Sequence, residues 1–90
     1  MNRAMNEPGA EKPYPAVFHF SVVADAPFAN LAALREALAG HDVTAPLQAG
    51  PLSKGGRYET FRFSARMASS AEHEQFSAAL KKINGVKMVL

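Results

Sequence analysis

The sequence predicts a single α+β domain whose elements follow the order β-α-β-β-α-β. Two segments, residues 16–24 and 58–67, alternate apolar and polar side chains with the period of two that is typical of a half-buried strand. Each is followed by a stretch in which large apolar residues recur at the spacing of an amphipathic helix. The length of 90 residues allows one hydrophobic core, so these elements must share it.

The first strand has one apolar face and one mixed face. Phe18, Phe20 and Val22 alternate with other side chains, among them the polar His19 and Ser21. Because an antiparallel sheet commonly packs one face on a core and leaves the other in water, we expect the phenylalanines to be buried and His19 to be exposed.

The first helix is expected to start at the Asp-Ala-Pro sequence of residues 25–27, since proline is tolerated in a first helical turn. Its apolar stripe is formed by Leu31, Leu34 and Leu38. Gly40 is expected to end the helix.

Residues 43–52 predict an irregular strand at the edge of the sheet. Pro46 and Pro51 cannot donate a backbone hydrogen bond to a neighbouring strand, which excludes a central position. Residues 53–57 follow as a turn, because their glycine pair can adopt positive φ angles.

The strand at residues 58–67 leads into the second helix. The apolar face of the strand is formed by Phe61, Phe63, Ala65 and Met67. Ser69 and Glu72 match the capping box that opens a helix, and Asn-Gly at residues 84–85 is expected to close it. The apolar stripe of this helix consists of Phe76, Leu80 and Ile83.

The last strand is expected to direct Val86, Met88 and Leu90 towards the core, with Val89 on the opposite face. Two crossovers of the same hand place both helices on one side of a four-stranded antiparallel sheet with strand order 4-1-3-2. This is the ferredoxin-like arrangement. It puts the two best strands in the middle and the proline-bearing strand at an edge.

Residues 1–13 are polar and contain Pro8, Gly9 and Pro13, so we expect a disordered tail before a domain over residues 14–90. The tail lacks the apolar region of a signal peptide, and no apolar run is long enough to span a membrane. The chain has no cysteine, which excludes disulfides and thiolate sites. We expect a cytoplasmic protein.

Several motifs resemble those of the small bacterial YbeD-like proteins. They are the Pro-Leu-Ser-Lys-Gly-Gly-Arg-Tyr sequence of residues 51–58, the strand after it, the Val-Lys-Met-Val-Leu ending of residues 86–90, and the opening strand after Tyr14-Pro15. The resemblance covers most of residues 14–90. It implies an ACT-like fold, no established activity and a regulatory role linked to lipoate metabolism. Gly56-Arg57 makes the turn longer than the usual form of that family.

No pattern predicts a catalytic site. No Gly-x-Ser-x-Gly motif surrounds a serine, and there is no cysteine nucleophile. Acylphosphatases share the predicted topology, but residues 24–27 here read Ala-Asp-Ala-Pro and lack the arginine and glycines that would cradle an anion. We therefore expect no enzyme activity.

No metal site or cofactor is expected either. His19, His41 and His73 fall on a strand, a loop and a helix start, so they are not predicted to converge. The His73-Glu74 pair begins like a zincin helix, but the second histidine of that motif is missing.

Two surfaces are candidates for binding. The net charge is +2, but it amounts to +4 from Lys54 onward and −2 before it, which favours an anion-binding surface in the second half. The first candidate is the outer sheet face, with His19, Ser21, Thr60, Arg62, Ser64, Arg66 and Lys87. The second is the turn, either as a plain hairpin connection or as an anion nest of Ser53, Lys54, Gly55, Gly56, Arg57 and Tyr58.

The function predicted from these features is a non-catalytic regulatory or interaction module. Its expected partner is a protein or a second copy of the chain, and a small-molecule ligand is compatible with the same face. The alternative is nucleic-acid binding, because residues 54–61 match part of the RNP1 pattern of RNA-binding domains. It is disfavoured, because the outer face offers few aromatic side chains for base stacking.

Overall fold

The computed structural model describes residues 14–90, except for the side chain of Lys54. Its elements follow the predicted order and are β1 (Ala16–Asp25), α1 (Leu31–Ala39), β2 (Asp42–Ala49), β3 (Tyr58–Met67), α2 (Ser70–Lys81) and β4 (Val86–Val89). The disordered tail expected at residues 1–13 lies outside the described residues.

The four strands form one antiparallel sheet with the order β2-β3-β1-β4. This is the predicted order, and the ferredoxin-like fold class is confirmed. Leu34 and Leu38 of α1 and Phe76 and Leu80 of α2 are buried in one cluster with side chains from β1 and β3. Both helices therefore pack on the same face of the sheet.

The central pair, β1 and β3, is in register along its whole length, from Ala16 opposite Met67 to Asp25 opposite Tyr58. Phe20 lies opposite Phe63, and their rings stack with centroids 5.0 Å apart. Both side chains are only 3% exposed. The prediction that these aromatic residues face the helices is confirmed.

The first helix starts later than predicted. Its first residue is Leu31, so the expected start at residues 25–27 is wrong. The backbone N–H groups of Asp25 and Ala26 donate instead to the carbonyls of Gly85 and Arg57, each at 2.9 Å. Phe28 N–H donates to the Glu59 carboxylate at 2.8 Å. These hydrogen bonds tie the segment before α1 to β3 and to the loop before β4.

Strand β2 lies at the edge of the sheet as predicted, but it ends at Ala49 and not at Leu52. Its pairing with β3 is interrupted between Ala45 and Gln48, the stretch that contains Pro46. Proline has no N–H to contribute to the ladder, so this irregularity follows directly from the sequence.

The second helix opens at the predicted capping residues, Ser69 and Glu72. Ser69 Oγ accepts a hydrogen bond from Glu72 N–H at 3.1 Å, and Glu72 Oε1 accepts one from Ala68 N–H at 2.6 Å. The second carboxylate oxygen, Oε2, lies 2.9 Å from His41 Nδ1. Glu72 thus ties the start of α2 to the loop after α1. Hydrogen bonding to the backbone N–H of Ala68 and, second, to the side chain of His41 lowers the pKa of the Glu72 carboxyl.

The orientation predicted for β4 is wrong for Met88, Val89 and Leu90. Val86 and Val89 pack against the core, whereas Met88 and Leu90 are 49% and 68% exposed. Ala24 pairs with Val86 but Val23 pairs with Met88, so Lys87 is an extra residue in β4. Such a bulge shifts the following side chains to the opposite face, because the period of a strand is two.

Replacing Phe63 by aspartate should unfold the protein, whereas replacing its neighbour Arg62 by alanine should leave it folded. Losing the phenyl ring alone costs about 3–5 kcal/mol, and a buried unpaired carboxylate adds to that. The exposed Arg62 should change stability by less than about 0.5 kcal/mol. Urea denaturation followed by circular dichroism measures both variants. Similar behaviour of the two would contradict the assignment of faces on β3.

Glu72→Gln should destabilise the fold at neutral pH, and the deficit should shrink as the pH falls. The pKa of Glu72 is lower in the folded than in the unfolded chain, so its ionised form stabilises the fold above about pH 4.3, the ordinary pKa of glutamate. That contribution is lost as the pH falls through the folded pKa. Urea midpoints from neutral to acidic pH provide the test. Glu74→Gln is the control, because Glu74 makes no side-chain hydrogen bond with any described residue. An equal deficit in both variants would refute the role of Glu72.

Candidate binding face of the sheet

The sheet face turned away from α1 and α2 is here called the open face. Its side chains alternate with the buried ones, so the register of β1 and β3 decides which residues it carries. The predicted residues on it are His19, Ser21, Thr60, Arg62, Ser64 and Arg66. Lys87, the seventh predicted residue, is exposed at the bulge of β4, beside this face.

His19 and Ser64 form a hydrogen-bonded pair at the centre of the open face. They are partners in the register, and His19 Nδ1 lies 2.6 Å from Ser64 Oγ. Ser64 is only 7% exposed, although its position predicts an outward side chain. The imidazole satisfies this buried hydroxyl, as buried polar groups require.

The basic side chains of the open face differ in their partners. Arg66 Nε lies 3.5 Å from the Asp42 carboxylate, and Lys87 Nζ lies 3.7 Å from that of Asp25. Arg62 is exposed and makes no ion pair with any residue in the described part of the chain. Among these three basic residues, Arg62 is therefore the one whose charge is free to interact with a ligand.

A shallow depression of about 260 Å³ lies next to Arg62 and is lined by residues of β1, β2 and β3. Residues His19, Ser21, Pro46, Gln48, Arg62 and Ser64 are among those that line it. Arg62 faces Ser21 on one neighbouring strand and Gln48 on the other. The depression thus combines a cation with hydroxyl, amide and imidazole groups.

The opposite part of the open face is apolar. Met88 pairs with Val23, and Leu90 exchanges backbone hydrogen bonds of 2.8 and 3.0 Å with Ser21, so all three apolar side chains lie on the open face. We call Val23, Met88 and Leu90 the apolar patch. The alternation in the sequence could not reveal it, because it depends on the extra residue in β4.

The turn before β3 has the backbone form that its glycines predict. Gly55 and Gly56 have φ angles of 86° and 71°. Gly56 N–H donates to the Ser53 carbonyl at 2.8 Å, and Tyr58 N–H donates to Ser53 Oγ at 3.0 Å. Two of the N–H groups that an anion nest would offer are thus used within the turn.

The predicted nest also includes Arg57 and Lys54. Arg57 is exposed, and its carbonyl accepts the hydrogen bond from Ala26. The side chain of Lys54 lies outside the described residues. Anion binding at the turn stays a prediction.

The three histidines do not come together. His19 contacts Ser64, His41 contacts Glu72, and His73 Nδ1 lies 2.8 Å from the Tyr14 hydroxyl. Across residues 14–90, no three metal-ligating side chains form a group. No helix in that range is long and apolar enough to cross a membrane.

Residues 10–90 match the model of a family described as "Protein of unknown function (DUF493)". YbeD belongs to that family, so the resemblance to YbeD-like proteins is confirmed. None of the curated proteins matches the chain.

Solved structures share the fold at low sequence identity. The solution structure of HP0495 from H. pylori is 17% identical, with a TM-score of 0.72 and 98% of each chain covered. The ACT domain of the GTP pyrophosphokinase of Chlorobium tepidum is 11% identical, with a TM-score of 0.65 over 82% of this chain and 94% of that one. The C-terminal domain of MgtC from Mycobacterium tuberculosis is 19% identical, with a TM-score of 0.63 over 82% of each. These similarities establish an ACT-like fold.

Proposed function

The chain belongs to the DUF493 family, and on that premise we propose that it is a non-catalytic regulatory module that docks on a protein partner through its open face. The partner is another protein or a second copy of the chain. The observation that carries the proposal is the apolar patch, in which Met88 and Leu90 are 49% and 68% exposed next to Val23.

The chemistry of the open face supports a protein partner. Adjacent exposed apolar side chains are typical of interaction sites, and protein interfaces commonly surround an apolar centre with a polar rim. Here the polar neighbours are Ser21 on β1 and Arg62 on β3. Two of the similar structures are domains of larger proteins, a GTP pyrophosphokinase and MgtC, which is consistent with a module.

The geometry of the His19–Ser64 pair supports the non-catalytic part of the proposal. His19 and Ser64 form a hydrogen-bonded pair that superficially resembles a nucleophile and its base. However, Ser64 is 7% exposed, and no described acidic residue hydrogen-bonds to His19 to orient its ring. A nucleophilic serine needs access to its substrate and, in the usual arrangement, an oriented base.

The regulated process that we propose is lipoate metabolism, in the cytoplasm. Support comes from the YbeD-like family alone, since the open face carries no feature specific for lipoate. Protein lipoylation, measured by immunoblot in cells that lack the protein, tests the link. Unchanged lipoylation under limiting lipoate would contradict it.

Nucleic-acid binding remains the alternative. Arg62 and Arg66 on the open face favour it, but the aromatic residue that the described strands place on this face is Tyr58, at its border and 37% exposed. Stacking on a sheet needs exposed aromatic rings. Fluorescence anisotropy with single-stranded RNA at low salt distinguishes the two functions. Binding that falls steeply with salt and weakens in Arg62→Glu would favour the alternative.

Met88→Glu should abolish docking without affecting the fold. A carboxylate placed within an apolar interface should raise the dissociation constant at least about tenfold. Leu52→Glu is the matched control, because Leu52 is similarly accessible (58% exposed) but follows β2 outside the sheet. Sedimentation velocity over a dilution series measures self-association, and retention on the immobilised chain measures binding of another protein.

The proposal predicts concentration-dependent association, or a retained protein, for the wild type and Leu52→Glu but not for Met88→Glu. A wild-type chain that stays monomeric at every dilution and retains no protein would contradict it. Equal association of all three chains would place the interface elsewhere.

A further inference from the structure

The depression beside Arg62 differs in chemistry from the apolar patch, although both lie on the open face. The depression is lined by residues of β1, β2 and β3, whereas the apolar patch is formed by residues of β1 and β4.

The distribution of charge within the face points to an anion. The basic groups at its ends each have a carboxylate nearby, that of Asp42 beside Arg66 and that of Asp25 beside Lys87. Arg62 lies between them, is exposed and has no acidic partner among the described residues. No acidic side chain lines the depression. A ligand that carries negative charge would therefore meet an uncompensated guanidinium.

Hydrogen-bond donors surround this guanidinium. Ser21 faces Arg62 from β1, and Gln48 faces it from β2. The His19 ring is fixed through Nδ1 by Ser64, so its position is set before a ligand arrives. Within residues 14–90, Nε2 of His19 has no hydrogen-bond partner. Guanidinium, hydroxyl, amide and imidazole groups together match the oxygen atoms of a carboxylate or a phosphate.

The depression lies where the pairing of β2 with β3 is interrupted. Pro46 and Leu47 have no partner residue on β3, because the pairing jumps from Ala45 to Gln48. Bulges of this kind frequently lie next to functional sites, where they redirect side chains. The volume of about 260 Å³ is below that of a site for a drug-sized ligand, so it suits a small anion.

We infer that the depression between His19, Ser21, Gln48 and Arg62 is a binding site for the anionic group of a small molecule, a carboxylate or a phosphate. Arg62 supplies the charge, and the other three side chains orient the oxygen atoms. The site requires no docked partner, although Ser21 and Arg62 also border the proposed protein interface.

The experiment is a ¹⁵N–¹H NMR titration with inorganic phosphate and, separately, with succinate, at an ionic strength held constant with sodium chloride. Wild type, Arg62→Gln and Arg66→Gln are compared. Arg66 is the matched control, because it lies on the same strand and face but is already paired with Asp42. A fourth titration on Met88→Glu removes any contribution from association of the chain.

The expected result is a saturable shift of the amides around Ser21, Gln48 and Arg62 in the wild type. Arg66→Gln and Met88→Glu should retain it, and Arg62→Gln should bind roughly fivefold more weakly or not at all, because a charge-assisted hydrogen bond is lost. The anion that binds with the higher affinity identifies the site as one for phosphates or for carboxylates.

Shifts that do not saturate, that spread over all basic residues, or that are as large in Arg62→Gln as in the wild type would overturn the inference. Saturable binding by a wild-type chain that neither self-associates nor retains another protein would leave the anion site intact and refute only the docking proposal. Association without anion binding would do the opposite.

Discussion

The structure depends on the register between β1 and β3. These two strands pair from end to end, and the parity of that pairing decides which side chain of each strand is buried. With Phe20 opposite Phe63 on the helix side, His19 must lie opposite Ser64 on the open face. A shift of one residue in either strand would exchange its buried and its outward-facing side chains. The core and the candidate binding face would then be lost together.

The positions of the two central strands and their core residues could be predicted, because apolar and polar side chains alternate along both strands. Prediction from the sequence pattern fails where hydrogen bonds to other parts of the chain decide the local structure. In the segment before α1, Asp25 and Phe28 donate to groups that are distant in sequence, and no local pattern encodes such partners. The orientation of Met88 depends on one extra residue in β4, which only the pairing with β1 reveals.

The candidate site was predictable in part. Which residues of β1 and β3 face outwards follows from their period, so the positions of His19 and Arg62 were predicted correctly. The burial of Ser64 and the ion pair between Arg66 and Asp42 were not, because both depend on neighbouring strands. The open face thus consists of a polar recess next to β2 and an apolar patch next to β4, a division that no single segment of the sequence shows.

The accessibility of two methionine methyl groups tests this account most directly. Met67 is fully buried beneath the helices, whereas Met88 is 49% exposed on the open face. In an NMR spectrum recorded with a soluble paramagnetic nitroxide, the Met88 methyl signal should be strongly attenuated and the Met67 signal preserved. Equal attenuation, or loss of the Met67 signal alone, would contradict both the parity of the central strands and the bulge that creates the apolar patch.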